Sequence, residues 1–139
     1  MTIMMFGPDL VAYLAQRRWE AETIGITVAV NGEAVPLSTA RGDDRMALQA
    51  TYSAIRDGLR PEGATFKFAD GKPRSVSNAQ MGAAIMLAFG FVQHCFDAEA
   101  AVLAKIEDGS LRTTLQVDQA FFEALATPPA TEQPQEEEP

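Results

Sequence analysis

The sequence predicts an α+β fold: a small antiparallel sheet made of two β-hairpins, packed against a long C-terminal helix. Three observations carry this. Asn31-Gly32 and Asp70-Gly71 each sit between short runs of strand-forming residues, the local signature of a hairpin. From Asn78 to Asp108 no proline interrupts a helix-compatible stretch, and Gly109 stands where a terminating glycine belongs.

Taken in order, Pro8 suits the first turn of a short helix, and Leu10, Val11, Leu14 and Arg18 follow at helical spacing. Gly25-Ile26-Thr27-Val28-Ala29-Val30 is short and β-branched, and reads as a strand. Asn31-Gly32 supplies the two positive-φ residues of a type I′ turn, and Glu33 to Leu37 returns. Pro36 lacks a backbone donor, so the returning strand is expected to lie at an edge or to end there. Ser38-Thr39 and Asp43-Asp44 offer N-caps for a helix over about Arg45 to Leu59, with Leu48, Tyr52, Ile55 and Leu59 on one buried face. Gly58 and Pro61 stop it. The second hairpin pairs Thr65–Phe68 with Pro73–Val76, and Phe66 and Phe68 share a face. The two hairpins are expected to join in one sheet, because an isolated hairpin is marginal.

Ser77 caps the long helix, which at 1.5 Å per residue spans roughly 46 Å. Its first half is apolar nearly all round, the pattern of a helix covered on every side. Its second half narrows to a stripe of Phe96, Ala100, Leu103 and Ile106, so this end is expected to protrude beyond the core. A last short helix over about Val117 to Leu125 carries Phe121, Phe122 and Leu125. The expected organisation is one packed domain over residues 1–126 and a Pro/Glu-rich tail over 127–139.

Composition narrows the function classes. The chain has 139 residues, 47% of them hydrophobic and 22% charged, enough for a core that needs neither disulfide nor metal. The single cysteine, Cys95, cannot bridge internally, which fits folding in a reducing cytoplasm. MTIMMFGPDL does not read as a signal peptide, and the longest apolar run, Met81 to Val92, falls short of the roughly 20 residues of a membrane helix. A soluble chain without membrane insertion is expected. Net charge is −8 with no basic cluster beyond Arg17-Arg18, which argues against nucleic-acid binding. Four of the 19 acids lie in the last eight residues, so about half of the net charge belongs to the tail. That tail reads either as a solubilising end or as a peptide docking on a basic groove.

No residue set points to catalysis, a cofactor or a metal. His94 and Cys95 are adjacent, so on a helix they point about 100° apart and cannot form a nucleophile pair. They read as a buried thiol beside a partly exposed histidine. One His and one Cys also fall short of a zinc site. The acids Asp43-Asp44, Glu20/Glu22 and Asp97/Glu99 read as caps or solvated charge rather than acid–base pairs. No Walker, GxGxxG, G-x-S-x-G or H-E-x-x-H motif occurs. The candidates for function are protein contacts: Trp19, Phe96, Leu103, Ile106, Phe121 and Phe122. For Trp19 and Phe96 a core role stands beside the interface role.

Arg17-x-x-Glu20, Gly25-Ile26, Asn31-Gly32, Asp44-Arg45 and Thr65-Phe66-Lys67-Phe68-Ala69-Asp70-Gly71 occur in an order that resembles the DUF4376 family. The most specific stretch is Val92-Gln93-His94-Cys95-Phe96-Asp97-x-Glu99 with Leu103, Ile106 and Gly109, close to the family's HVQACF helix. Phe91 stands where the family often has histidine, and Ile24-Gly25 replaces the usual Gly-Gly before isoleucine. The resemblance covers residues 17–109. It implies a phage or prophage tail-module protein, with other phage tail proteins as partners and self-association open. The expected roles are a virion component of the fibre or baseplate, made in the host cytoplasm, or a fibre-assembly chaperone absent from the particle. A small enzyme is the third reading and would require acids such as Asp43 or Glu20 to line a pocket.

Overall fold

A computed structural model describes residues 9–128 and shows an α+β chain of four helices and two small sheets. The order is α1 (Leu10–Glu22), β1 (Ile26–Val30), β2 (Glu33–Leu37), α2 (Asp43–Arg56), β3 (Thr65–Lys67), β4 (Pro73–Ser75), α3 (Asn78–Glu107) and α4 (Thr114–Ala126). The chain divides into two compact units. One is residues 16–96; the described part of the other is residues 9–15 with 97–128. Pro8 and the tail beyond Pro128 lie outside the described residues.

In the 16–96 unit, Asn31 (φ 53°) and Gly32 (φ 79°) make the expected turn, both in the left-handed region. The register follows, with Val28 opposite Val35 and Ile26 opposite Leu37. Val28, Val30, Val35 and Leu37 alternate inward and are buried, while Thr27, Ala29, Ala34 and Pro36 face outward. Gly25, at φ 93°, enters β1 where an added Cβ would stand 3.1 Å from the Leu37 carbonyl oxygen, so only glycine fits. The Gly25 N–H donates to the buried Thr39 hydroxyl at 2.9 Å.

The expected single sheet does not form: β1–β2 and β3–β4 are separate two-stranded sheets. Strands β3 and β4 are only three residues each, too short to build a ladder beside the first hairpin. Other bonds tie the hairpins together. Ala69 donates its N–H to the Pro36 carbonyl at 3.1 Å, and Asn31 Nδ2 donates to the Ser75 carbonyl at 3.2 Å. Arg74 reaches Asp70 at 2.9 Å and Glu33 at 3.3 Å, with its guanidinium 5.4 Å from the Phe68 ring centroid. The Arg74 hydrogen bond and the Lys72 N–H hold the Asp70 carboxyl down at about 2.

Helix α2 starts at Asp43 rather than Arg45, and its N-cap is Gly42 without a side-chain bond. Asp43 and Asp44 occupy the first turn, where the helix dipole favours them. The helix ends at Arg56, and Gly58 (φ 73°) turns the chain so that Leu59 N–H caps the Ala54 carbonyl at 2.8 Å. Leu59 therefore falls outside the helix and is 75% exposed, against the expectation that it joins Leu48, Tyr52 and Ile55 on the buried face.

Helix α3 closes this core with Met81, Ala84, Ile85 and Ala88, all at most 3% exposed. Its first half is not covered all round as expected. Met86 is 53% and Leu87 60% exposed on the other side, because the two hairpins and α2 pack against one face only. By length and composition alone α3 is long and apolar enough to cross a membrane, and 33% of its most apolar window is buried within the protein. Ser77 Oγ accepts from Gln80 N–H at 3.0 Å at the helix start, and Gly109 (φ 86°) ends it, both as expected.

The other unit corrects the view that the second half of α3 protrudes. Ala98 and Val102 are buried, and Leu14, Val117 and Phe121 are the other buried apolar side chains among the described residues of this unit. The buried line is thus displaced from the expected Phe96–Ala100 stripe, with Leu103 and Ile106 half-buried. Cover comes from α4, which begins at Thr114 rather than Val117. Thr113 and Gln116 form a reciprocal capping box that nucleates the helix one turn early. The Tyr13 hydroxyl donates to the Asp118 carboxylate at 2.8 Å, tying α1 to α4. Tyr13→Phe is expected to cost about 1–2 kcal/mol in a urea titration, since the bond it removes is partly buried.

Candidate functional site

The most concentrated polar chemistry lies at the end of α1. Thirteen helical residues carry Glu22 to a position where its side chain is fully buried, facing the start of α2. Three arginines converge on this one carboxylate. Arg18, one turn earlier, donates to Oε2. Arg41 forks across both oxygens, Nη2 to Oε2 at 2.5 Å and Nε to Oε1 at 3.2 Å. Arg45 Nη1 donates to Oε1 at 3.1 Å, while its Nη2 donates to the Thr39 carbonyl at 2.6 Å. Arg45 Nε is the buried side-chain polar atom that lacks a partner among the described residues.

Burial alone would push the Glu22 carboxyl up. The hydrogen bonds from Arg41, Arg18 and Arg45 outweigh it and hold the group below its ordinary value. An acid so engaged has its acceptor positions taken up by guanidinium groups, which suits it to fastening α1 to the β2–α2 connection rather than to accepting a proton from a substrate. The sequence pattern read Glu22 with Glu20 as solvated charge. Glu20 does stay at the surface, paired with Arg17 at 2.8 Å, whereas Glu22 is the buried member.

Cys95 is fully buried in the same unit, and burial, then the Glu22 charge, push its thiol up to about 11. It is a protonated, poorly nucleophilic thiol at neutral pH. His94 beside it is half-buried, the arrangement expected from sequence. Among the described residues no group of three or more His, Cys, Asp or Glu is placed to hold a metal.

A cleft of 380 Å³ opens between α2 and β3, with Leu37, Leu48 and Phe66 on its apolar side. Ser38, Asp44 and Lys67 form its polar side, and the Ser38 hydroxyl donates to Asp44 at 2.6 Å. Among the described residues Asp44 is the acid that lines it.

The six residues singled out as protein contacts are divided between the two units. Trp19 (45% exposed) and Phe96 (36%) belong to the 16–96 unit, and the Arg18 guanidinium lies 4.5 Å from the Phe96 ring centroid. Leu103, Ile106, Phe121 and Phe122 belong to the other unit. There Phe121 is packed inside at 5% exposure, so it cannot meet a partner while the fold is intact, whereas Phe122 is 73% exposed. Sequence reasoning passed over the Glu22 cluster and the exposed pair Met86 and Leu87. Only the Arg18–Glu22 spacing signalled the first, and nothing local signalled the second.

No curated protein and no solved structure matches the chain. A family model described as a domain of unknown function matches residues 8–126, beyond both ends of the stretch that carries the sequence motifs. Helix α1 and helix α4 therefore both lie inside the matched region, and the chain belongs to the DUF4376 family.

Proposed function

We propose that this chain is a non-catalytic structural component of a bacteriophage tail, associated with the fibre or baseplate and acting through protein–protein contacts. The observation that carries the reading is the outer face of α4. Leu115 and Phe122, 65% and 73% exposed, stand seven residues apart and so share one side of that helix. Exposed large apolar groups spaced along a helix are the form of a groove-binding contact. The resemblance of the 17–109 motifs to tail-module domains supplies the context. In this reading the partners are other tail proteins, and the protein is made in the host cytoplasm and ends in the virion.

Mass spectrometry of gradient-purified particles tests it. The expected result is the chain at a fixed copy number per particle. Phe122→Ser is expected to change stability by less than about 0.5 kcal/mol while reducing incorporation severalfold. Detection only in the lysate would overturn the virion role and favour a fibre-assembly chaperone. Wild-type incorporation by the serine variant would remove α4 as the contact.

A further inference from the structure

We infer that the bare face of α3 in the 16–96 unit is a self-association surface, occupied by the same face of a second copy in antiparallel orientation. The inference does not rest on where the protein acts. Four observations lead to it.

From Ala79 to Gly90 the face is apolar and open, and Gln93 and the half-buried His94 continue the same side one turn further on. Ala79, Ala83, Met86, Leu87 and Gly90 are all exposed along one side of the helix. It is also free of charge: from Ser75 to Phe96 there is no Asp, Glu, Lys or Arg, in a chain whose net charge is −8. Two copies of an acidic protein repel wherever like charges meet, and this stretch of α3 contributes none.

The face holds glycines that the fold does not require. Nothing stands within 4 Å of a Cβ built at Gly82 or Gly90, and neither has a positive φ. Glycine weakens a helix interior, so its presence at open positions is unexplained within one chain and explained by close approach of a second backbone.

The pattern is self-complementary. A two-fold axis between residues 86 and 87 places Met86 opposite the partner copy's Leu87, and Ala83 opposite its Gly90. Each pair thus occurs twice, as an isologous contact demands, with large side chains at the centre, Ala83 and Gly90 beside them, and Ala79 opposite His94 at the ends. Lipid is a poorer occupant. The opposite face of the same helix, with Met81 and Ile85 at 0% exposure, is committed to the core and would have to be torn out to enter a bilayer. One helix face buries less than the roughly 800 Å² per partner of a standard interface, so the dimer is expected in the micromolar range or weaker.

Sedimentation equilibrium of the full chain from about 1 μM to about 1 mM provides the test. The expected mass rises from 15.0 kDa toward twice that value. Leu87→Glu is expected to remain monomeric throughout with unchanged helical circular dichroism, while Leu59→Glu, also at an exposed leucine but off this face, dimerises like the wild type. A wild type that stays monomeric, or a Leu87→Glu protein that associates as strongly, overturns the proposal. Oxidative cross-linking fixes the orientation without relying on that variant. Leu87→Cys should link to its own mate, whereas Ala79→Cys should not, because its mate lies about 22 Å along the helix. The reverse result overturns the antiparallel pairing. Binding of the wild type to neutral phosphatidylcholine vesicles, lost in Leu87→Glu, would assign the face to lipid and sink the dimer.

Discussion

Glu22→Gln is expected to destabilise the protein by about 3–5 kcal/mol in urea or guanidinium titrations. The glutamine fills the same space, so packing is conserved and the loss is electrostatic. Three guanidinium groups, from Arg18, Arg41 and Arg45, would face one another around a neutral amide at a position that is fully buried. Removing one cation instead should cost less, in an order set by exposure. Arg41 is half-exposed and can turn to water, whereas Arg18 and Arg45 are 15% and 21% exposed and cannot do so freely. Out of a total of roughly 5–15 kcal/mol for a domain, the Gln variant would lose a large share.

The same substitution should change the response to acid. The Glu22 carboxyl is held below its ordinary value of 4.5 in the folded protein, so it binds a proton less readily there than in the unfolded chain. Its contribution is therefore fully present above pH 4.5 and is lost as pH falls through the folded value. The wild type should weaken over that acid range, and Glu22→Gln should show a flatter acid limb. Parallel acid limbs in the two proteins would mean that the arginines do not act through this carboxylate.

Ile85→Ala is expected to cost about 2–5 kcal/mol, whereas Leu87→Ala, two positions along α3, should lie within about 0.5 kcal/mol at concentrations where the chain is monomeric. The chemistry removed is similar and the surroundings are not. Ile85 is 0% exposed in the cluster with Val30, Val35, Leu48 and Phe68, and deleting it leaves a cavity among side chains held by two hairpins and a helix. Leu87 is 60% exposed, and its methyl groups are already largely in water. A pair of urea midpoints measures the contrast, and equal losses would place the helix in a different rotation about its axis.

Much of the fold was legible because its signals are local. Asn31-Gly32 determines turn type and register together, and Ser77 and Gly109 bound α3 to within a residue. The rotation of α3 was not legible. A segment that is apolar on every side has no stripe to read, and its orientation is decided by partners far along the chain. The α4 start was legible and missed, since Thr113-x-x-Gln116 is a capping signature in plain sequence. The Glu22 cluster is the opposite case. Arg41 and Arg45 lie 19 and 23 residues away, and only the meeting of the end of α1 with the start of α2 brings them to one carboxylate. The two separate sheets were hidden for a related reason: strand signals predict hairpins, and nothing in them says whether two hairpins share an edge.

Cys95 gives the molecule a built-in clock. It is the single thiol in the sequence and is wholly enclosed, so a disulfide reagent can reach it only during excursions that uncover it. When closing outpaces labelling, the modification rate divided by that of the unfolded chain equals the fraction of time spent open, and its logarithm is an opening free energy. Followed in lysate and in purified protein, that one rate would compare how firmly this part of the chain is held in each setting, with no substitution added.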